Sequence, residues 1–451
     1  MPVTARYTSM MAQVMMAIIV LAPPLEVLLK GRNLVGEEYF AALEANLIES
    51  IQRHGDAYFS AMQDAPAGTL MSPATSMVVL LALGIIGLCA FERRRMDTGY
   101  LVMGGLLVYF LTNTLLPVPF GMNAFIDRSH IYPVLVFAAL FMSRDEGPEA
   151  IFGVAKIGLM IMMVASLVLM FAMPDLTRRV YEPEVRLPLI DFRLWGIGES
   201  ANNIGPLAMT QIVLTLHRPF SNKALTWLSY ISGGLVVLLA QSQTTWIIAL
   251  TVLPAVIAYQ HRAALKKTLP APAPWMVAAG AGFLVVMLFA PVIIAEGVRA
   301  GILEGTVLTG RPEVWSPAID TFLDHPIFGY GLLAWEKDFR QNIQVLWAVH
   351  AHSQMLESLS VAGLVGGIGL VAYVGTLFYA TVKQTVATVG LAPALFVIIM
   401  IRTMTEVPFS IGAIMINDMV THLLLFRLLL NPQAVASTQR ELAQWLSAQR
   451  A

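Results

Sequence analysis

"AVHAHSQMLESLSVAGLVGG", residues 348 to 367, carries two histidines, His350 and His352, into a glycine-rich apolar run that stays uncharged from Ser358 to Thr381. From 354 to 381 the run exceeds the ~20 residues a helix needs to cross a hydrocarbon core of roughly 30 Å. Windows of the same kind recur at 9 to 29, 71 to 91, 99 to 120, 124 to 142, 151 to 173, 204 to 217, 224 to 241, 244 to 260, 275 to 294, 389 to 406 and 408 to 430. They predict an all-α, polytopic helical bundle of about twelve transmembrane helices with large loops on one side.

Composition agrees. Of 451 residues, 57% are hydrophobic and 13% charged, with mean hydropathy +0.70, which excludes a soluble multidomain enzyme. The net charge of −1 says nothing about partners, and no nucleic acid is expected among them. Cys89 is the single cysteine and falls within a span, so neither an intrachain disulfide nor a thiolate metal cluster is possible. The first span has no small-residue cleavage site and runs through Pro23 and Pro24 to Lys30, so it reads as a retained anchor.

With about twelve spans, both termini fall on one side. That side holds Arg93, Arg94, Arg95, Arg144, Arg218, Lys223, Arg262, Lys266, Lys267 and Lys383, which the positive-inside rule makes cytoplasmic. The whole chain, 1–451, reads as one integral membrane domain. It bears an acidic amphipathic insertion at 30–70, outer loops at 174–203 and 295–353, and a cytoplasmic tail at 431–451. Within the largest loop, "RPEVWSPAIDTFLDHPIFGYG" predicts a short helix from Pro312 with Trp315, Ile319 and Phe322 inward, stopped at His325-Pro326 and turned by the glycines.

Four arginines depart from the inward bias. Arg128, Arg193, Arg311 and Arg402 belong to four outer segments, each near a membrane boundary, where a cation needs a partner or a wet cavity. Guanidinium groups grip phosphate oxygens with paired donors, so convergence would make a diphosphate site. Each also has a local structural partner within reach: Asp127, Asp191, Glu313 and Glu406.

The two histidines admit three readings. Metal ligation would draw on Asp324, His325 or Glu313, but no ligand spacing such as H-E-x-x-H accompanies them. Polar residues at a helix start, satisfied by backbone and water, would suffice. Alternatively, a neutral imidazole at a wet membrane edge is a general base for a hydroxyl. Gly363 and Gly367 form a G-x-x-x-G spacing that close helix packing explains.

Three pieces in order, "TGRPEVW", "HPIFGYG" and "HAHSQMLESLSVAGLVGG", resemble the O-antigen ligase and polymerase superfamily of bacterial envelope glycosyltransferases. There, an Arg and Trp pattern opens the large outer loop, a Pro and Gly turn follows, and a histidine segment starts the next helix. By that resemblance Arg311 matches the loop arginine and His352 the family histidine, while His350 has no counterpart and Ser353 replaces the usual asparagine. "RLWGIGESANNIGPLA" resembles an R-x-x-G segment and supplies Arg193, Gly196 and Asn203. "QSQTTWIIAL" resembles a Ser-Arg-Thr segment with Gln243 in place of arginine, and "IRTMTEVPF" supplies Arg402 and Glu406.

What the resemblance implies is a glycan donor on undecaprenyl diphosphate, presented on the periplasmic side, with no cofactor, nucleotide sugar or required metal. His352 and Arg311 would be catalytic. Arg193, Arg311, Arg402 and Arg128 would hold the diphosphate, and His350, Asn203, Gln243 and Glu406 would support them. The acceptor would be a lipid-linked repeat unit, as in an exopolysaccharide polymerase, or lipid A core, as in a ligase. A flippase or proton-coupled transporter is the rival class, which would place polar groups at midplane and show two related halves.

Overall fold

The computed structural model describes residues 3–30, 71–90, 97–144, 147–179, 187, 189–198, 200–264, 274–300, 302, 311–343, 345, 348–410, 414 and 417–430. The insertion assigned to 30–70 and the tail at 431–451 lie essentially outside them.

About 77% of the structure is helical. In chain order the helices are α1 (Val3–Lys30), α2 (Met71–Cys89), α3 (Thr98–Phe110), α4 (Tyr132–Met142), α5 (Glu149–Ala172), α6 (Ala201–His217), α7 (Lys223–Leu239), α8 (Gln243–Ala264), α9 (Pro274–Arg299), α10 (Arg311–Asp324), α11 (Lys337–Asn342), α12 (Gln354–Gln384), α13 (Leu391–Arg402) and α14 (Asn417–Leu430). Seven candidate spans among the described residues are long and apolar enough to cross a membrane, and four shorter apolar helices accompany them. Each window read as a span overlaps a helix among the described residues, and the chain is an all-α polytopic membrane protein.

Side chains decide which helix faces meet. Gly158 of α5 lies where a Cβ would press on Val20 of α1, and Gly233 of α7 where one would press on Ile212 of α6. Small residues let backbones approach where lipid offers no hydrophobic drive between helices. After α3 the chain passes through a π-helical turn, Leu111–Leu115, which turns Asn113 so that its amide donates to Gly366 O of α12 at 3.0 Å.

The ends of the bundle are chemically distinct. Arg144 at the end of α4 pairs with Asp97 at 3.3 Å, and Arg427 of α14 donates to Ser143 O at 3.0 Å. At the other end α6, α8 and α12 begin and α13 stops. There Gln354 N donates to Thr403 O at 2.9 Å, Thr244 and Thr405 hydroxyls lie 3.1 Å apart, and Arg402 Nη2 donates to Asn203 Oδ1 at 2.7 Å.

Beyond that end the segment from α10 to His352 builds its own small core. Trp315, Ile319, Trp335, Phe339 and Ala351 are buried together with Leu356 of α12, and Phe322 is half-buried. Outside lipid such burial contributes ~1.5–3 kcal/mol for each large side chain. Helix α10 ends at Asp324, immediately before the predicted stop. Arg299 at the end of α9 braces it through Asp320 at 3.0 Å.

One expectation needs correction. Gly363 does not merely let helices pack: at φ 62°, ψ −156° it breaks α12, in a region essentially restricted to glycine. The turn at 326–331 fills the break. Tyr330 N and Gly331 N donate to Ser360 O and Val361 O, both at 2.9 Å, while Leu364 N and Val365 N donate to Pro326 O at 2.8 Å and Ile327 O at 3.2 Å. Interrupted helix groups are thereby satisfied inside the protein, as membrane-level backbone requires.

Candidate active site

Ser353 caps α12 in extended conformation, so the two residues ahead of it are free of helical geometry. His352 takes φ +48°, a left-handed conformation uncommon outside glycine. Two hydrogen bonds hold it there: His352 N donates to His350 Nδ1 at 3.1 Å, and Ala351 N to Glu357 Oε2 at 2.8 Å. The imidazoles lie with centroids 4.2 Å apart.

Both face one carboxylate. Glu406 Oε2 is 3.4 Å from His352 Nδ1 and 3.6 Å from His350 Nε2, and Glu406 Oε1 is 3.8 Å from Arg311 Nη2. The local spacing had offered Glu313 to Arg311 and Arg402 to Glu406. The fold brings Glu406 to Arg311 of α10 and to the two histidines just ahead of α12. It does so because α13 stops at Arg402 and a tight turn follows, with Glu406 N donating to Arg402 O at 2.8 Å. The side chain of Gln354 fixes that segment further, accepting from Phe409 N at 2.8 Å and donating to Tyr109 Oη at 3.1 Å.

These contacts choose the tautomers. Because His350 Nδ1 accepts a backbone N–H, a neutral His350 carries its proton on Nε2, toward Glu406. Glu406 at His352 Nδ1 places that ring's proton on Nδ1 and leaves the Nε2 lone pair outward. Burial draws His350 down to about 3, helped by His352, Arg311 and Arg402 and opposed by Glu406. Its ring still keeps 27% of its surface open, so the lost solvation reflects the depth of surrounding protein rather than closure. Burial alone would raise the Glu406 carboxyl, but the imidazoles and Arg311 hold it below the usual carboxylate range. With His350 neutral, the N–H at His352 Nδ1 and the Arg311 guanidinium are the groups that favour the ionised Glu406.

Arg402 and Arg193 stand at the first turn of α6. Asn203 accepts from Arg402, while the neighbouring Asn202 Oδ1 accepts from Arg193 Nη2 at 3.3 Å and Ala240 O from its Nε at 3.2 Å. Gln241, at φ +48°, ties the 174–203 loop to the same corner, accepting from Leu187 N at 2.8 Å and donating to Phe192 O at 2.7 Å. Arg402 acts electrostatically on His350, so the cluster and the α6 corner adjoin.

The remaining candidates fare unequally. Gln243 opens α8 beside Thr244 with its side chain exposed. Arg128 lies exposed on a short turn with its charge against Asp127, and no contact among the described residues carries it into the cluster. Ser353 Oγ is buried without a hydrogen bond there, so it does not reproduce an asparagine's bonding. Asn202, Gln354, Glu357 and Gln241 escaped sequence reading. The doubled asparagine in "ESANNIG" was a signal for the first, whereas Gln354 and Glu357 were hidden inside a span.

By distance, His350, His352 and Glu406 could ligate a metal, their donor atoms lying within 4.8 Å of one another. Arg311 competes for the same carboxylate, and Arg402 adds positive charge beside the imidazoles. The cluster therefore suits an anion better than a cation.

Residues 228–371 match the family model described as O-antigen ligase. No curated protein matches the chain. The match opens within α7 and closes within α12, taking in α10, Arg311 and both histidines and ending before Arg402 and Glu406. The chain is thus a multi-pass membrane protein in which residues 228–371 match an O-antigen ligase model, and that match supports the resemblance to the O-antigen ligase and polymerase superfamily.

Proposed function

We propose that this chain is a metal-independent membrane glycosyltransferase that moves a glycan from undecaprenyl diphosphate to an acceptor hydroxyl on the periplasmic side of the inner membrane. The observation that carries the proposal is the carboxylate of Glu406 at His352 Nδ1, with Arg311 on its other oxygen. A carboxylate behind one ring nitrogen turns the other into an oriented base. The guanidiniums of Arg311 and Arg402, with Arg193 at the adjoining corner, outnumber the carboxylates of Glu406 and Glu357 and leave the pocket net positive. Such a pocket fits a lipid diphosphate and stabilises the charge that grows on it as the anomeric C–O bond breaks.

His352 Nε2 takes the proton of the acceptor hydroxyl as its oxygen forms the new bond to the anomeric carbon. The diphosphate leaves from the opposite face on the arginines, and the configuration inverts. Oriented proton transfer of this kind contributes about 10²- to 10⁴-fold in rate. The 3.4 Å separation between His352 and Glu406 is long for a hydrogen bond, as ligand-free catalytic contacts often are.

Purified protein in liposomes, given undecaprenyl-diphosphate oligosaccharide alone or with lipid A core, separates the acceptors: longer lipid-linked chains mean polymerase, glycosylated core means ligase. Polymer formation is expected, as the resemblance to exopolysaccharide polymerases implies. His352→Ala or Arg311→Ala with unchanged product at equal protein level would end the proposal.

A further inference from the structure

Glu357 has no part in the chemistry above, yet it is a carboxylate in the first turn of an apolar helix that begins at the site. We propose that Glu357 is a positioning residue for the His352–Glu406 pair, acting through the backbone of Ala351. This rests on His352 being the base.

The local geometry supports it. A carboxylate at a helix start ordinarily closes a capping box by bonding the cap residue's own N–H. Glu357 lies one position further along. Its backbone N–H donates to Ser353 O at 2.8 Å, whereas its side chain reaches past the cap to Ala351 N, between the two histidines.

Ala351 is fully buried against Trp315, Trp335 and Leu356, so water cannot replace the lost acceptor cheaply. The adjoining His352 sits at positive φ, a conformation that persists only where surrounding contacts over-determine it. Without the carboxylate oxygen, the 350–352 segment would relax toward negative φ and swing the imidazole away from Glu406. The carboxylate also lies near Tyr109, whose hydroxyl accepts from Gln354. Gln354 in turn holds the chain that bears Glu406. One helix turn thus fixes both partners of the pair, from two segments more than fifty residues apart in sequence.

Kinetics of the full-length protein in liposomes, with the lipid-diphosphate oligosaccharide as donor, test the assignment. Glu357→Leu should lower kcat by about 10- to 100-fold, as expected for a displaced base, with donor KM within about threefold of the wild type because the arginines are untouched. Glu357→Gln keeps an acceptor oxygen at the same reach and should restore most of kcat. In a His352→Ala background Glu357→Leu should cost nothing further, since the positioned group is gone. Four results would overturn the assignment: a full additional loss in that background, equal loss in the Gln and Leu variants, a change confined to KM, or an unchanged kcat. If His352→Ala itself is fully active, the general-base proposal fails instead. A purely structural Glu357 would lower the amount of folded protein and leave kcat per folded molecule unmoved.

Discussion

Replacing Glu406 by glutamine removes one charge while keeping shape and an acceptor oxygen. At the 3.4 Å between His352 Nδ1 and the carboxylate, a full charge on the imidazole would be worth about 5 kcal/mol at an effective dielectric constant near 20. Sharing the carboxylate with Arg311 at 3.8 Å and with the His350 ring at 3.6 Å reduces what His352 receives. A loss near 3 kcal/mol is a reasonable expectation, or about 10²-fold in kcat. Donor KM should change less, because removing Glu406 also frees Arg311 for phosphate. The assay is liposome turnover over a range of donor concentrations, with folded protein counted by size exclusion. Glu406→Asp retains the charge on a shorter stem and should fall between the two. A Glu406→Gln enzyme within threefold of wild-type kcat would refute the pairing of carboxylate and imidazole as the origin of the base.

Acidification should destabilise the protein through His350, which the fold keeps neutral to about 3 while the unfolded chain protonates near 6.5. Stability is therefore lost as pH falls below about 6.5, by at most about 2 kcal/mol between pH 6.5 and 5, and Glu406, depressed in the fold, adds to the loss below its ordinary 4.5. Melting in detergent should show Tm falling over that range and His350→Gln flattening the fall; an identical slope in the variant would contradict this. Gly363→Ala places a Cβ 2.5 Å from the Ile327 backbone at φ 62°, so it should cost several kcal/mol and sharply reduce folded protein. Gly367→Ala meets only the Leu359 and Met355 side chains and should be mild, and similar Tm values for the two would show that the break is not needed. Arg402→Lys loses the planar fork now bonded to Asn203 and should raise donor KM about tenfold, whereas an unchanged KM would remove Arg402 from the phosphate site.

Period and hydropathy were enough to place the helices, because a chain in lipid must satisfy its backbone within each segment and so writes each span as a continuous apolar window. The same windows concealed the break at Gly363, since the partners that tolerate it, Pro326 to Gly331, lie in a separate loop. Arg311 and Arg402 were legible as charges out of place at membrane boundaries, and His352 and Glu406 through the resemblance. Their connectivity was not: short spacing offered Arg402 with Glu406 and Arg311 with Glu313, and gave no sign that the fold delivers Glu406 across almost a hundred residues to Arg311. Arg128 shows the converse, an arginine equally conspicuous in sequence but held on an exposed turn beside Asp127. Glu357 and Gln354 went unread because their significance lies in which backbone amides they reach.

A single acid supplied from residue 406 to partners at 311, 350 and 352 has a bearing on biogenesis. During synthesis residues 311, 350 and 352 leave the ribosome before Glu406, so their contacts with that carboxylate form only after the segment following α13 is in place. On the proposed mechanism, the pairing of base and carboxylate is therefore among the last contacts to form as the chain is made.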